Sequence, residues 1–153
     1  MNLKKCIFVV PFGTLLGHMV CNQGVYVDPA KVAVIVSMEA SETVKQLRSL
    51  LGHKGYYQHF IRNYAKITAP LEKLLNKSEQ FEWMDICRKA LDTLKEKLAS
   101  APILVHPDWD KQFHVHIDAS EIALGAVLAQ PGDTSVDHTV YFSSRKLSIV
   151  EQN

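Results

Sequence analysis

Residues 113–130, FHVHIDASEIALGAVLAQ, constrain the fold of this chain more than any other stretch. From 113 to 118 apolar and polar side chains alternate. Phe113, Val115 and Ile117 face one way, and His114, His116 and Asp118 the other, which is the period of a strand with two unlike faces. A carboxylate, Asp118, closes that run. Residues 123–130 are apolar around a glycine and read as a second strand, and residues 140–143 as a third. A sheet near the end of the chain follows, entered through the loop Pro107-Asp108-Trp109-Asp110. A further helix is expected to open at Ser148.

Between residues 41 and 101 the period changes. Ser41 is a suitable N-cap, Val44, Leu47, Leu50 and Leu51 share a helical face, and Gly52 is expected to end that helix. Tyr56, Tyr57, Phe60, Ile61 and Tyr64 have the spacing of a second, aromatic helix. Pro70 suits a first helical turn, and Leu71, Leu74 and Leu75 follow it in a short third helix. Asp85 is expected to cap a longer helix with Ile86, Ala90, Leu91, Leu94 and Leu98 inward, stopping before Pro102.

Residues 3–36 read as short strands. Residues 7–10, 15–20 and 25–27 are the candidates, punctuated by Gly13, Gly17 and Gly24 and closed by Asp28-Pro29. Residues 31–36 fit a strand or a helix, and periodicity does not choose. Lys4 and Lys5 before CIFVVPFGTLL imitate a signal peptide, but Pro11 and Gly13 interrupt the run and no small-residue cleavage site follows. No run of 18 apolar residues exists, so no membrane span is expected.

Bulk composition narrows the classes. The 153 residues carry 17 Lys and Arg against 16 Asp and Glu, a net +1, with 47% hydrophobic and 22% charged residues. That is globular and not disordered, and less basic than a free-standing nucleic-acid binder. Any nucleic-acid contact therefore rests on local clusters. Cys6, Cys21 and Cys87 are odd in number and contain no CxxC pair, which favours reduced thiols over disulfides or structural zinc. An intracellular location, cytoplasmic or nuclear and not secreted, is the expectation.

Several blocks, in this order, resemble one family. Lys5-Cys6-x-Phe8, Leu16-Gly17-His18 and Gly24-Val25-x-Val27-Asp28-Pro29-x-Lys31-Val32 are similar to the last part of a polymerase palm with its primer-grip hairpin. Leu51-Gly52, Gly55-Tyr56-Tyr57, Phe60-Ile61, Pro70-Leu71 and Phe81-x-Trp83 are similar to a thumb and connection. Leu94-Lys95, Ala101-Pro102-x-Leu104, Pro107-Asp108, Phe113, Asp118-Ala119-Ser120, Gly125-Ala126-x-Leu128 and Gln130 are similar to the linker and start of a ribonuclease H domain. Ser144-Arg145-Lys146-Leu147 with Glu151 and Asn153 resembles the segment leading into its first helix. Nearly the whole chain thus resembles the pol polyprotein of gypsy-type LTR retrotransposons. His53, Lys54 and His59 depart from the family's usual residues.

The resemblance implies an α+β fold: short N-terminal palm-like strands in 1–38, thumb/connection helices in 39–100, and a partial RNase H-like antiparallel sheet in 101–153. It implies RNA-directed DNA synthesis and RNA–DNA hybrid cleavage in the parent polyprotein. Asp118 becomes the catalytic and metal-ligating carboxylate, for Mg²⁺. Leu16, Gly17 and His18 become a primer-holding element, and Lys45, Arg48, Lys54 and Arg62 become contacts to an RNA–DNA hybrid or primer–template. The implied partners are nucleic acid and the remaining parts of the polyprotein. The polymerase aromatic-x-Asp-Asp motif and the other ribonuclease H carboxylates are expected outside these 153 residues, and Glu151 is not one of them. Two-ion hydrolysis needs several converging carboxylates, so the chain alone is expected neither to hold Mg²⁺ stably nor to cleave.

Blander readings stand beside these. A solvated surface explains the basic residues, with Lys66, as well as phosphate contacts do. Tyr56, Tyr57 and Tyr64 fit core packing or base stacking. His114 and His116 fit an exposed polar face better than a metal site, and nothing places a base beside Ser120. The alternative function is a non-catalytic, domesticated module binding nucleic acid or protein. The sheet is expected to present an open edge and an apolar face, in a loosely joined chain.

Overall fold

A computed structural model describes residues 10–39, 43–76, 81–133 and 136–152. Among these are four α-helices and two three-stranded antiparallel sheets, an α+β fold. The first sheet is a meander of β1 (Phe12–Leu15), β2 (His18–Cys21) and β3 (Gly24–Val27). The single run expected over 15–20 is instead the fold-back of a hairpin. Leu15 pairs with His18, leaving Leu16 and Gly17 as a two-residue turn at φ 49° and 76°. Positive φ at both positions is the mirror-type turn that matches strand twist. The strand expected over 7–10 lies outside the described residues except for Val10, which is not in a strand.

The helices follow. The open segment 31–36 belongs to α1 (Pro29–Ser37), whose N-terminus Asp28 caps by accepting a 2.9 Å bond from the Ala30 amide. The expected cap Ser41 lies outside the described residues. α2 (Val44–Gly55) buries Leu47 and Leu50, but Gly52 does not end it; the helix runs three residues further. The aromatic segment is not a helix. Residues 56–57 turn, Gln58–Phe60 make one 3₁₀ turn, and Asn63 at φ 58° caps α3 (Tyr64–Lys73). Tertiary bonds override the helical spacing here: the Tyr57 hydroxyl donates to the Gly17 carbonyl at 3.0 Å, and the Tyr56 hydroxyl to that of Leu16. Pro70 sits inside α3, not at its start. It has no N–H for the Lys66 carbonyl, and the helix ends three residues later.

α4 (Asp85–Ala99) is amphipathic as read, with one exchange. Cys87, Ala90, Leu91, Leu94 and Leu98 are buried, while Ile86 is 56% exposed. Position 87 lies three and four residues from 90 and 91, in the middle of the stripe. Asp85 is the helix's first residue, and its side chain makes no capping bond.

The second sheet, β4 (His114–Ala119), β5 (Ala123–Pro131) and β6 (Asp137–Lys146), is the antiparallel meander anticipated at the chain's end. β6 is longer than residues 140–143 and carries a register shift opposite Leu128/Ala129. Buried Gln130 pins the entry loop, accepting from the Asp108 amide at 2.9 Å and donating to its carbonyl at 2.7 Å. After Ser148 there is a hydrogen-bonded turn: the Glu151 and Gln152 amides donate to the Ser148 carbonyl.

The three segments are not loosely joined. One core cluster draws Val27 and Ile35 from the first, Tyr57, Phe60, Ile61, Tyr64, Leu94 and Leu98 from the second, and Leu104 and Phe142 from the third. A second cluster, including Leu47, Leu71, Cys87 and Leu91, lies among α2, α3 and α4. Cys21 and Cys87 are free thiols, and burial raises the Cys87 pKa. No helix among the described residues is long and apolar enough to cross a membrane.

Candidate functional site

Asp118 stands near the end of β4, opposite Gly125 on β5, which in turn faces Ser144 on β6. The strand alternation puts Asp118, Gly125 and Ser144 on the face that also carries Val127 and the buried Phe142. That face receives the segment leading into α3. The Asn63 side-chain amide donates to Asp118 Oδ2 at 2.9 Å, and the Ala65 backbone amide donates to Ser144 Oγ at 2.9 Å. Glu72, near the other end of α3, meets Lys146 Nζ at 3.1 Å. A shallow pocket lined by Asn63, Lys66, Asp118, Ser120, Gly125 and Ser144 marks the junction.

Gly125 is what lets Asn63 lie there. A Cβ at position 125 would fall 2.2 Å from Asn63 Oδ1, which no side chain tolerates without moving. Asn63 itself takes the left-handed backbone that asparagine accepts more readily than most residues.

Asp118 is exposed and presents hard oxygen to solvent, the chemistry a divalent ion such as Mg²⁺ uses. The residues around it do not complete a site. Its pocket neighbours are an amide, an ammonium and two hydroxyls. Among the described residues no group of three or more His, Cys, Asp or Glu side chains could hold a metal ion. The described chain therefore fits one ligand position and not an ion pair.

The remaining candidates separate into three places. Leu16, Gly17 and His18 form the tip of the first hairpin. His18 stacks on Tyr56 with centroids 4.9 Å apart and on Phe60 at 5.6 Å. Lys45 and Arg48 are exposed on α2, Arg62 is exposed just before α3, and the Lys54 side chain lies outside what is described. Tyr57 and Tyr64 are buried. Burial raises both phenol pKa values, that of Tyr64 to about 12, with Glu72 adding to the latter. Tyr56 is 47% exposed, but its ring packs against His18 and its hydroxyl is engaged.

His114 and His116 lie exposed on one face of β4, and both bond Asp137: His114 Nδ1 at 2.9 Å from Oδ1 and His116 Nε2 at 2.8 Å from Oδ2. The hydrogen bonds from His116 and His114 hold the Asp137 carboxyl below its ordinary range. The Glu151 carboxyl is held at about 2 by Arg145, with help from Ser148, and Glu151 does not line Asp118's pocket. Asn63 is the residue that reading the sequence missed. It is uncharged, it belongs to no chemical motif, and its partner lies 55 positions away.

Comparison with known proteins bears on the sequence and the fold. Residues 83–153 match the RNase H-like domain found in reverse transcriptase. The whole chain is 38% identical, over 154 aligned residues, to the retrovirus-related Pol polyprotein from transposon 297 of Drosophila melanogaster, of which it spans 14%. Over 99% of its length it is 36% identical to that from transposon opus of the same fly, spanning 16% of it. It is 30% identical to the transposon Tf2-3 polyprotein of Schizosaccharomyces pombe, spanning 11%. Among solved structures, the foamy viral protease-reverse transcriptase in complex with dsDNA superposes at TM-score 0.82 and 20% identity, over 97% of this chain and 31% of that one. The same viral protein in complex with RNA/DNA hybrid gives 0.81, over 97% and 20%. Along its whole length the chain is thus similar in sequence to the reverse transcriptase/RNase H-like region of retrotransposon Pol polyproteins, residues 83–153 match the RNase H-like domain of reverse transcriptases, and its fold is that of the foamy viral enzyme.

Proposed function

We propose that these 153 residues carry the passage from reverse transcriptase into ribonuclease H of a Pol polyprotein, contribute to gripping an RNA–DNA hybrid or primer–template, and alone neither polymerise nor cleave. The segments are the end of a palm in 1–38, thumb/connection in 39–100 and the front of an RNase H-like domain in 101–153. The observation that carries the reading is the setting of Asp118, an exposed carboxylate near the end of β4 whose pocket is lined by no other acid and which, among the described residues, belongs to no group of three or more His, Cys, Asp or Glu that could hold a metal ion.

Bound Mg²⁺ ions would supply an activated water and would neutralise the leaving oxygen in phosphodiester hydrolysis. Asp118 holds a single ligand position. Lys45, Arg48, Lys54 and Arg62 supply phosphate contacts, and Leu16, Gly17 and His18 hold the primer end. Free thiols at Cys21 and Cys87 support an intracellular protein.

The test is incubation of the purified chain with an RNA–DNA hybrid and Mg²⁺. No cleavage is expected; turnover that disappears in Asp118→Asn overturns the reading. The exposed Lys45, Arg48 and Arg62 also favour a second reading, a binding module without catalysis. It requires hybrid binding that weakens steeply with salt, and binding unchanged from 50 to 200 mM salt excludes it.

A further inference from the structure

We propose that the groove between the first sheet and β6 binds a single unpaired nucleotide, its base laid against the His59–Tyr141 stack. The inference rests on the reading of the chain as a nucleic-acid-gripping segment. The groove holds about 480 Å³, within the range of small-ligand sites. All three segments wall it: Val20 and Val25 from the first sheet, His59 and Phe60 from the 3₁₀ turn, Leu104 from the linker and Tyr141 from β6. Bonds between the segments fix those walls. The Val105 amide donates to the Thr139 carbonyl at 2.9 Å, and His106 Nε2 donates to the Cys21 carbonyl at 2.9 Å.

The lining selects the ligand. It combines aliphatic side chains with flat rings. The His59 and Tyr141 rings stack with centroids 4.5 Å apart and planes 28° from parallel, and Tyr141 is 39% exposed. Burial, with His18 nearby, lowers the His59 pKa, so both rings are neutral at pH 7. Such faces accept any base by stacking. The groove's charge suits a phosphate: its lining residues include no carboxylate, and its polar side-chain atoms are the imidazoles of His18, His59 and His106 and the hydroxyls of Tyr56 and Tyr141. An attached phosphate therefore meets no like charge, and imidazole and phenol edges can donate to it or to a base edge. A hydrocarbon ligand would leave those edges unpaired, which costs free energy. A base inside a duplex has both faces covered, so only an unpaired one has a face free for Tyr141. His18 also makes the groove continuous with the hairpin tip of Leu16 and Gly17, read above as the primer-holding element.

The probe is adenosine monophosphate, titrated at pH 7 into the full ¹³C-labelled chain, reading the ring signals of His59, His106 and Tyr141. Saturable shifts of all three are expected, with weaker binding of adenosine and no shift of Tyr141 by inorganic phosphate alone. Tyr141→Leu keeps an apolar side chain and removes the ring. It is expected to weaken binding of the nucleotide by about tenfold, the loss of one stacking partner. Where that variant fails to fold, His59→Leu is read in its place with the same expectation. Trp109 is 81% exposed and does not line the groove, so Trp109→Ala is expected to leave the affinity unchanged.

Groove rings left unshifted by the nucleotide overturn the assignment. So does a Tyr141 shift as large with inorganic phosphate alone, which marks an anion site, or an equal loss in Trp109→Ala, which marks unspecific stacking. Shifts of the same signals on dilution without nucleotide mean that a second copy fills the groove, and overturn it too. Salt-dependent binding of an RNA–DNA hybrid, measured on the same sample, separates the two ideas. If the hybrid binds while the groove rings stay unshifted by the nucleotide, only the groove assignment fails; if neither binds, the nucleic-acid reading fails with it.

Discussion

Val25 and Leu104 exchange both backbone hydrogen bonds, each at 2.8 Å, and so join the last strand of the first sheet to the linker that enters the second. The contact spans 79 positions of sequence. It explains why the N-terminal strands are not a loose appendage: the bridge lays Leu104 into the same core as Val27, Phe60 and Leu98.

Gly24, one residue before this bridge, has φ 145° and leaves no room for a side chain, since a Cβ would lie 2.1 Å from the Leu104 carbonyl oxygen. Backbone cannot step aside as a side-chain tip can. Gly24→Ala is expected to destabilise the chain by roughly 2–3 kcal/mol, read as a lower denaturant midpoint. An unchanged midpoint would mean that the bridge does not form in solution.

Leu16 is the opposite case. It is 81% exposed and holds φ 49° at the hairpin tip, a conformation that costs most L-residues roughly 1–2 kcal/mol. Asparagine followed by Gly17 is the favoured pair for such a turn. Leu16→Asn is expected to raise stability by roughly 0.5–1 kcal/mol, seen as a melting temperature about 1–4 °C higher. If Leu16 also holds a primer end, the same variant binds primer–template less tightly. A fall in melting temperature would contradict the turn assignment.

The final turn carries a pH signature. Arg145 and the Ser148 amide and hydroxyl bond the Glu151 carboxylate, which titrates at about 2 against its ordinary 4.5. A lowered carboxylate pKa stabilises the turn above about pH 4.5, and the contribution is lost as pH falls through about 2. Exchange protection of the Ser148 amide is expected to hold from pH 7 to 4.5 and to decline below. The pair is exposed, so 1 M salt should weaken it. A midpoint near 4.5 would show that the bond is not made.

Much of the fold was legible because it is local. Strict alternation in 113–118 marks β4, although every residue of that strand is exposed, and the apolar stripe of α4 reports its buried face; both elements stand where the spacing puts them. The errors fall where distant residues decide. Tyr56 and Tyr57 look helical by spacing, yet their hydroxyls are spent on the hairpin tip 40 positions earlier. Pro70 is seated mid-helix, where Leu71 and Thr68 beside it are fully buried. Ile86 lost its inward place to Cys87, a choice that depends on where α3 packs.

The apolar face of β4 was anticipated, and it is open: Val115 and Ile117 are 61% and 69% exposed. At the site, Asp118 was found through resemblance and its strand position through alternation. Asn63 gave no sign, because a hydrogen bond across 55 residues leaves no trace in spacing or composition.

The proposed function turns on Asp118 being the one carboxylate that the described residues bring to its pocket. The most direct measurement is anomalous diffraction from crystals of the 153-residue chain grown with an RNA–DNA hybrid and Mn²⁺. At most a single, partly occupied ion at Asp118 is expected. Two ions about 3.5–4 Å apart, ringed by further acidic side chains of this chain, would contradict it.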